Sequence, residues 1–288
     1  MLGALRRDDP LGPLTWAQAH EVPGSQRRKW FPTPVARYNI TRMLKRIGVL
    51  ASGGGSNLAA VYEYLREREQ RGMGATTPGI ALVASDQARA AALERARGWG
   101  VATAVLRERG DDAEQLSALL VEHRIELLVL AGYLRLVPRR VVEEYRGRII
   151  NVHPALLPAY GGPGMYGQRV HRAVLEDGAR VTGATVHFVD EEYDRGPIIM
   201  QWPVPVLPDD SAKTLAARVL RVEHLLLPRA VCAVARGTVR LDENGRLSRP
   251  SIASNAGKPS ISAEAAFTLH PEPDEQIAEG IAAFLPEG

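Results

Sequence analysis

Cysteine occurs once in this chain, at Cys232, and no stretch approaches the roughly 20 unbroken apolar residues that cross a membrane as a helix. The single thiol excludes an intramolecular disulfide framework and any zinc site built from several thiolates. Nothing in the cysteine usage argues for export, and a cytoplasmic location is expected. The opening residues MLGALRRDDPLG break their apolar run after five residues, well short of a signal-peptide core. Internal repeats are absent. Two nucleotide-binding signatures are incomplete as well: the glycines of LASGGGSNL lack the third glycine of a dinucleotide fingerprint, where Leu58 stands, and no Gly-Lys-Ser/Thr follows them.

The formal charge of +3 and isoelectric point near 9.1 hint at nucleic acid until their distribution is read. Residues 1–46 carry nine Lys/Arg against three Asp/Glu, which leaves 27 basic and 30 acidic residues for 47–288. The basic character belongs to the N-terminal segment, and no nucleic-acid partner is expected. That segment also holds five prolines and no period of 2 or 3.6, so residues 1–43 are read as an irregular extension.

From Ile47 onward, apolar runs of strand length alternate with amphipathic stretches, the signature of βαβ units. The expected strands are 47–51, 79–85, 102–106, 126–132 and 148–153. Two later ones, VTGATVHFVD and PIIMQWPVPV, alternate as strands with one solvated side, and a long helix runs from about Ser211 to Arg236. The fold class is α/β: a Rossmann-like open, mostly parallel sheet with helices on both faces and C-terminal antiparallel additions. One domain spans 44–245; beyond Gly237 a short hairpin leads into a mostly irregular tail, residues 246–288.

Chemistry-bearing residues gather at the strand ends. Gly53, Gly54, Gly55, Ser56 and Asn57 lie between the first strand and a helix, where open α/β sheets bind phosphate through free N–H groups; the same glycines also suit a plain tight turn with Ser56 as N-cap. RIINVHP ends the fifth strand with Asn151 and His153 two apart, hence on one side of it. Asp194 stands in the turn before Gly196-Pro197. Each has a bland reading: His153 as a structural hydrogen-bonder, Asp194 as a turn residue. Together, however, an amide, an imidazole whose cation a carboxylate favours, and that carboxylate suit acyl transfer to an amine. His171, His187 and His224 lack metal-ligand spacing with a carboxylate and are read as structural, with no metal expected; Cys232 is read as a small buried hydrophobe.

The ordered motifs SGGGSN, AGYLRLV, NVHPALLP, GATVHFVDEEYDRGPII and RVLRVEH resemble the phosphoribosylglycinamide formyltransferases, folate-dependent enzymes, over about residues 44–245. The resemblance implies transfer of the formyl group of 10-formyltetrahydrofolate to the primary amine of glycinamide ribonucleotide in purine synthesis. It implies small-molecule substrates, a monomer or homodimer, and neither membrane nor nucleic-acid partners. By it, Gly55, Ser56 and Asn57 hold the substrate phosphate and Glu223 meets the glycinamide end. Leu134, Arg135, Leu136, Val137 and Asn151 form the folate pocket, with Val189 and Asp190 nearby. Asn151, protonated His153 and Asp194 carry the catalysis. MLKRIGVLASGGGSN, from Met43, reads as a complete start for such a chain, so residues 1–42 are expected to be dispensable.

Three features depart from the family pattern. Arg195 stands where some members have a second glycine, which is harmless if its φ is not positive. The stretch 160–171, with four glycines, is longer than in the shortest members and reads either as a lid over folate or as a surface loop. Arg109 reads as a phosphate or cofactor contact or as part of a solvated turn. Rival readings are a formyltetrahydrofolate hydrolase, another formyl-folate transferase, or, from a different class, a dinucleotide-binding oxidoreductase or binding module. The SGGGSN turn favours a phosphate ester, and the missing third glycine disfavours the oxidoreductase.

Overall fold

A computed structural model of the chain describes residues 43–107, 112–248 and 274–284. Five parallel strands carry the site: β1 (Arg46–Leu50), β2 (Gly79–Ser85), β3 (Ala102–Val105), β4 (Leu127–Leu130) and β5 (Ile149–His153). The aliphatic residues of the central strands β1, β4 and β5 are buried on both sides, as parallel strands sandwiched between helices require, whereas the edge strand β3 is only half-buried. Then come β6 (Val181–Phe188) and β7 (Ile198–Pro205), each antiparallel to the strand before it. The sheet order is β3-β2-β1-β4-β5-β6-β7, so the order in which strands are added reverses between the parallel neighbours β1 and β4 and opens a crevice at their carboxyl ends.

Helices cover both faces. On one, α1 (Ser56–Arg68), α2 (Ala91–Gly98), α5 (Gln168–Glu176) and α6 (Ala212–Ala235) pack on a core that includes Val49, Val83, Val129 and Ile150. On the other, α3 (Asp112–Glu122) and α4 (Arg139–Glu144) cover Leu50, Leu82, Leu128 and Ile149. Alternation along β1 therefore sends neighbouring residues to different cores. Helix α6 is started by a reciprocal cap, Thr214 N–H to Ser211 Oγ at 3.2 Å and Ser211 N–H to Thr214 Oγ1 at 2.9 Å. It is anchored by Arg218 on Asp210 at 2.6 and 2.9 Å.

Two expectations change. Strand β6 has no solvated side, because seven of its eight residues are buried; α6 lies on one face, and the segment after β5 folds over the other, with Leu157 N–H donating to Thr185 Oγ1 at 3.1 Å. In addition, the stretch read as mostly irregular contains α7 (Asp274–Phe284), which follows the small hairpin of β8 (Arg240–Leu241) and β9 (Leu247–Ser248). Ile277 and Ile281 of α7 are buried in the first core, and Arg221 of α6 pairs with Asp274. The period of Ile277 and Ile281 was present in the sequence, but only a partner surface gives it a purpose.

Candidate active site

Beyond β1 and β4 the backbone is tied across the crevice: Ser52 N–H donates to Gly132 O at 3.0 Å, and Ser52 Oγ accepts from Leu134 N–H at 3.0 Å. The glycine turn sits above this tie. Gly55 is the helix N-cap, with φ 71° and no side-chain cap, so the cap expected at Ser56 falls one residue earlier. A Cβ on Gly55 would meet the Cα and Cβ of Ala92 at 2.9 Å, and Ala92 N–H donates to Gly53 O at 3.2 Å. Close docking of α2 on the turn is what demands glycine there. Ser56, Asn57 and Leu58 open the helix, and their N–H groups have no acceptor within it. Ser56 is exposed.

Asn57 points the other way. Its Nδ2 donates to Glu223 Oε2 of α6 at 2.6 Å, so the side-chain amide serves Glu223, and the backbone is what this residue offers to a phosphate. Glu223 is buried, and burial pushes its carboxyl up to about 7, against the hydrogen bond from Asn57. Both residues line a cavity of about 500 Å³; Gly55 and Ser56 are not among its walls.

At the base of this cavity the end of β5 meets the turn before β7. His153 Nδ1 lies 3.5 Å from Asp194 Oδ2, Asn151 Nδ2 lies 3.5 Å from Asp194 Oδ1, and Gly162 N–H donates to Asp194 Oδ2 at 2.9 Å. The other imidazole nitrogen, Nε2 of His153, is 2.8 Å from the carbonyl oxygen of Tyr160. Asp194 and Tyr160 both have φ 55°, a conformation that side-chain-bearing residues rarely adopt and that gathers at functional sites. Arg195 is not among the positive-φ residues, so its departure from glycine is accommodated; the left-handed position is Asp194. Gly196 is needed for close approach, since a Cβ there would sit 1.8 Å from Phe188 O.

The electrostatics revise one expectation. Asp194 and the Tyr160 carbonyl both favour a charged His153, but burial outweighs them and the net direction of its pKa is down. Burial likewise pushes the Asp194 carboxyl up, but hydrogen bonds and nearby charge, from the His153 imidazole and the Gly162 N–H among others, bring it below its ordinary value.

His187, read as structural, belongs to this site. In the antiparallel pairing of β5 and β6 it stands directly opposite Asn151, and its Nε2 is 3.1 Å from Asn151 Nδ2. His171 also lines the cavity; it is buried with Nδ1 unpartnered, and burial next to His153 lowers it to about 4. The motif GATVHF carried a signal for His187, since a histidine inside an apolar strand needs a polar partner. What the sequence lacked was the register that supplies one.

The mouth is apolar. Leu134 and Leu136 are 48 % and 45 % exposed beside buried Val137, and Val189, Asp190, Met165 and Tyr166 complete the walls. Arg135 lines the same side, its guanidinium on Arg107 O at 3.1 Å. Gly162, Gly164 and Gly167 of the glycine-rich stretch line the cavity with positive φ. Arg109 lies outside the described residues. Among the described residues no group of three or more His, Cys, Asp and Glu could hold a metal ion, and no helix is long and apolar enough to cross a membrane.

The formyl transferase domain family matches residues 45–231. The chain is 39 % identical over 207 residues to a chloroplastic phosphoribosylglycinamide formyltransferase of Arabidopsis thaliana, covering 70 % of this chain and 69 % of the relative. It is 37 % identical over 203 residues to the phosphoribosylglycinamide formyltransferase of Escherichia coli K12, covering 69 % and 91 %. Among solved structures, the phosphoribosylglycinamide formyltransferase of Anaplasma phagocytophilum superposes with a TM-score of 0.63 at 35 % identity, covering 72 % of this chain and 95 % of that one.

Proposed function

The chain belongs to the formyl transferase family, and on that premise we propose that it moves the formyl group of 10-formyltetrahydrofolate to the primary amine of glycinamide ribonucleotide in purine synthesis, in the cytoplasm. The observation that carries the reading is the meeting of Asn151, His153 and Asp194 at the base of one cavity with an apolar mouth. That mouth, at Leu134, Leu136 and Val137 with Arg135 beside it, suits the flat rings of a folate as second substrate. The glycine turn, with the open N–H groups of Ser56 and Asn57, suits the phosphate, and Glu223 the glycinamide end.

The amine attacks the formyl carbon directly; a new C–N bond forms and the bond from that carbon to the folate nitrogen breaks. Asn151 and a protonated His153, its Nε2–H released from the Tyr160 carbonyl, donate to the oxygen on which charge develops, and His153 gives its proton to the departing nitrogen. Asp194 steadies the charge on His153 and takes the amine proton through water. Because burial opposes that charge, His153 acquires its proton as the developing oxyanion, a stronger partner, takes the place of the Tyr160 carbonyl beside Asp194.

Turnover of 10-formyltetrahydrofolate, followed by absorbance with and without glycinamide ribonucleotide, tests the reading. Conversion to tetrahydrofolate that depends on the amine is expected. Equal conversion without it would mark a hydrolase instead. Ser56 also offers a hydroxyl donor beside the open N–H groups of the turn, and its replacement by Ala should raise KM for the ribonucleotide and leave that for the folate unchanged.

A further inference from the structure

His187 has no part in the steps above, yet it is 2 % exposed and held on every polar atom it has. Nδ1 lies 2.8 Å from the carbonyl oxygen of Phe188; Nε2 lies 3.1 Å from Asn151 Nδ2 and 3.6 Å from Asp194 Oδ1. A carbonyl only accepts, so Nδ1 carries a proton. Nε2 then faces an amide nitrogen, which only donates, and the two match when Nε2 is bare and Asn151 gives it a hydrogen. Turning the amide over would instead set its oxygen against the bare Nε2 and the Asp194 carboxylate, gathering acceptors with no donor between them. The orientation of Asn151 is thus decided by its neighbours. One amide hydrogen goes to His187; the other is held only by Asp194 Oδ1, 3.5 Å away and at the limit of a hydrogen bond, and Asn151 lines the cavity.

We propose that His187 is a positioning residue: by accepting one hydrogen of Asn151 in its Nδ1–H tautomer, it keeps the amide turned so that an N–H, not the carbonyl oxygen, meets the formyl oxygen in the transition state. This rests on the reading of Asn151 as an oxyanion donor. Without the acceptor on β6 the amide loses the contact that tells its two ends apart, and the end with the oxygen would repel the developing charge.

The test is kcat and KM for His187→Leu, His187→Gln, Asn151→Ala and the double variant H187L/N151A, with thermal melts of each. H187L should lower kcat by about 10- to 100-fold, no more than loss of the donor itself, with KM for both substrates within about threefold. H187Q, whose side-chain oxygen can take the same hydrogen, should recover most of that loss. Adding H187L to N151A should lower kcat no further, because the two act as one unit. Losses that multiply in the double variant would overturn the inference, as would near-normal kcat in H187L when N151A is slow. Near-normal kcat in N151A would remove the oxyanion reading and this inference with it. If H187L fails to fold, H187Q decides: kcat within about threefold of wild type is expected, and a fall matching N151A refutes the role.

Discussion

Two side chains at the end of β5 carry the sharpest expectation. Replacing His153 or Asn151 by Ala should lower kcat by about 100-fold or more with the melting temperature largely kept, since each removes a donor to the transition state. Steady-state kinetics on the purified variants check this, and near-normal turnover in either would refute its role. Glu223 makes a different prediction, one of stability. Its folded pKa of about 7 lies above the ordinary 4.5, so the folded state holds a proton that the unfolded chain releases. The stability this contributes is fully present below pH 4.5 and is lost as the pH rises through 7, in total roughly 3 kcal/mol for a shift of this size. Glu223→Gln keeps an acceptor for Asn57 and lacks the titration. Its melting temperature relative to wild type should therefore rise between pH 5 and pH 8. A constant difference would mean that Glu223 ionises at an ordinary pKa in the folded protein. The residue scale is also where sequence reading was most selective. Asn151 and His153 are legible because two residues on one strand share a side whatever the strand packs against. The Asn57–Glu223 pair, 166 positions apart, is not.

Among the elements, α1 and α2 meet on a single glycine. Gly55→Ala would place a methyl group 2.9 Å from Ala92 in a left-handed conformation, at a cost of about 1–3 kcal/mol, and would push the turn out of shape. A lower urea midpoint and a raised KM for the phosphate-bearing substrate should appear together; loss of stability alone would mean that the turn serves only the fold. Helix α7 is the counterpart. Ending the chain at Ser248 removes Ile277 and Ile281 from the core, a loss of about 3 kcal/mol of burial, while none of the described side chains of α7 lines the cavity. The urea midpoint should fall and kcat/KM should hold. An unchanged midpoint would show that α7 contributes nothing to the domain. Strand limits were readable to within about two residues, because aliphatic runs between turn residues are local patterns. The double burial of β6 was not, since alternation tells which residues share a side and not whether another segment covers it.

For the molecule as a whole, the charge division along the chain sets the prediction. Starting from Met43 removes seven basic and three acidic residues and moves the formal charge from +3 to −1. Five prolines and no amphipathic period give residues 1–42 little burial to offset their ordering entropy. The shortened chain should match the full one in melting temperature and kcat/KM. A clear loss of either would show that the segment docks on the domain. By itself the sequence determined the class of fold, the parallel order of strand and helix, and that Asn151 and His153 share one side of a strand end, because hydrophobic period and turn chemistry act between neighbours in the chain. Only the tertiary structure decided that His187 faces Asn151, that Asn57 is spent on Glu223, and that burial holds the pKa of His153 down against Asp194. Each of these depends on strand register or on what excludes water, and both are set by segments far away along the chain.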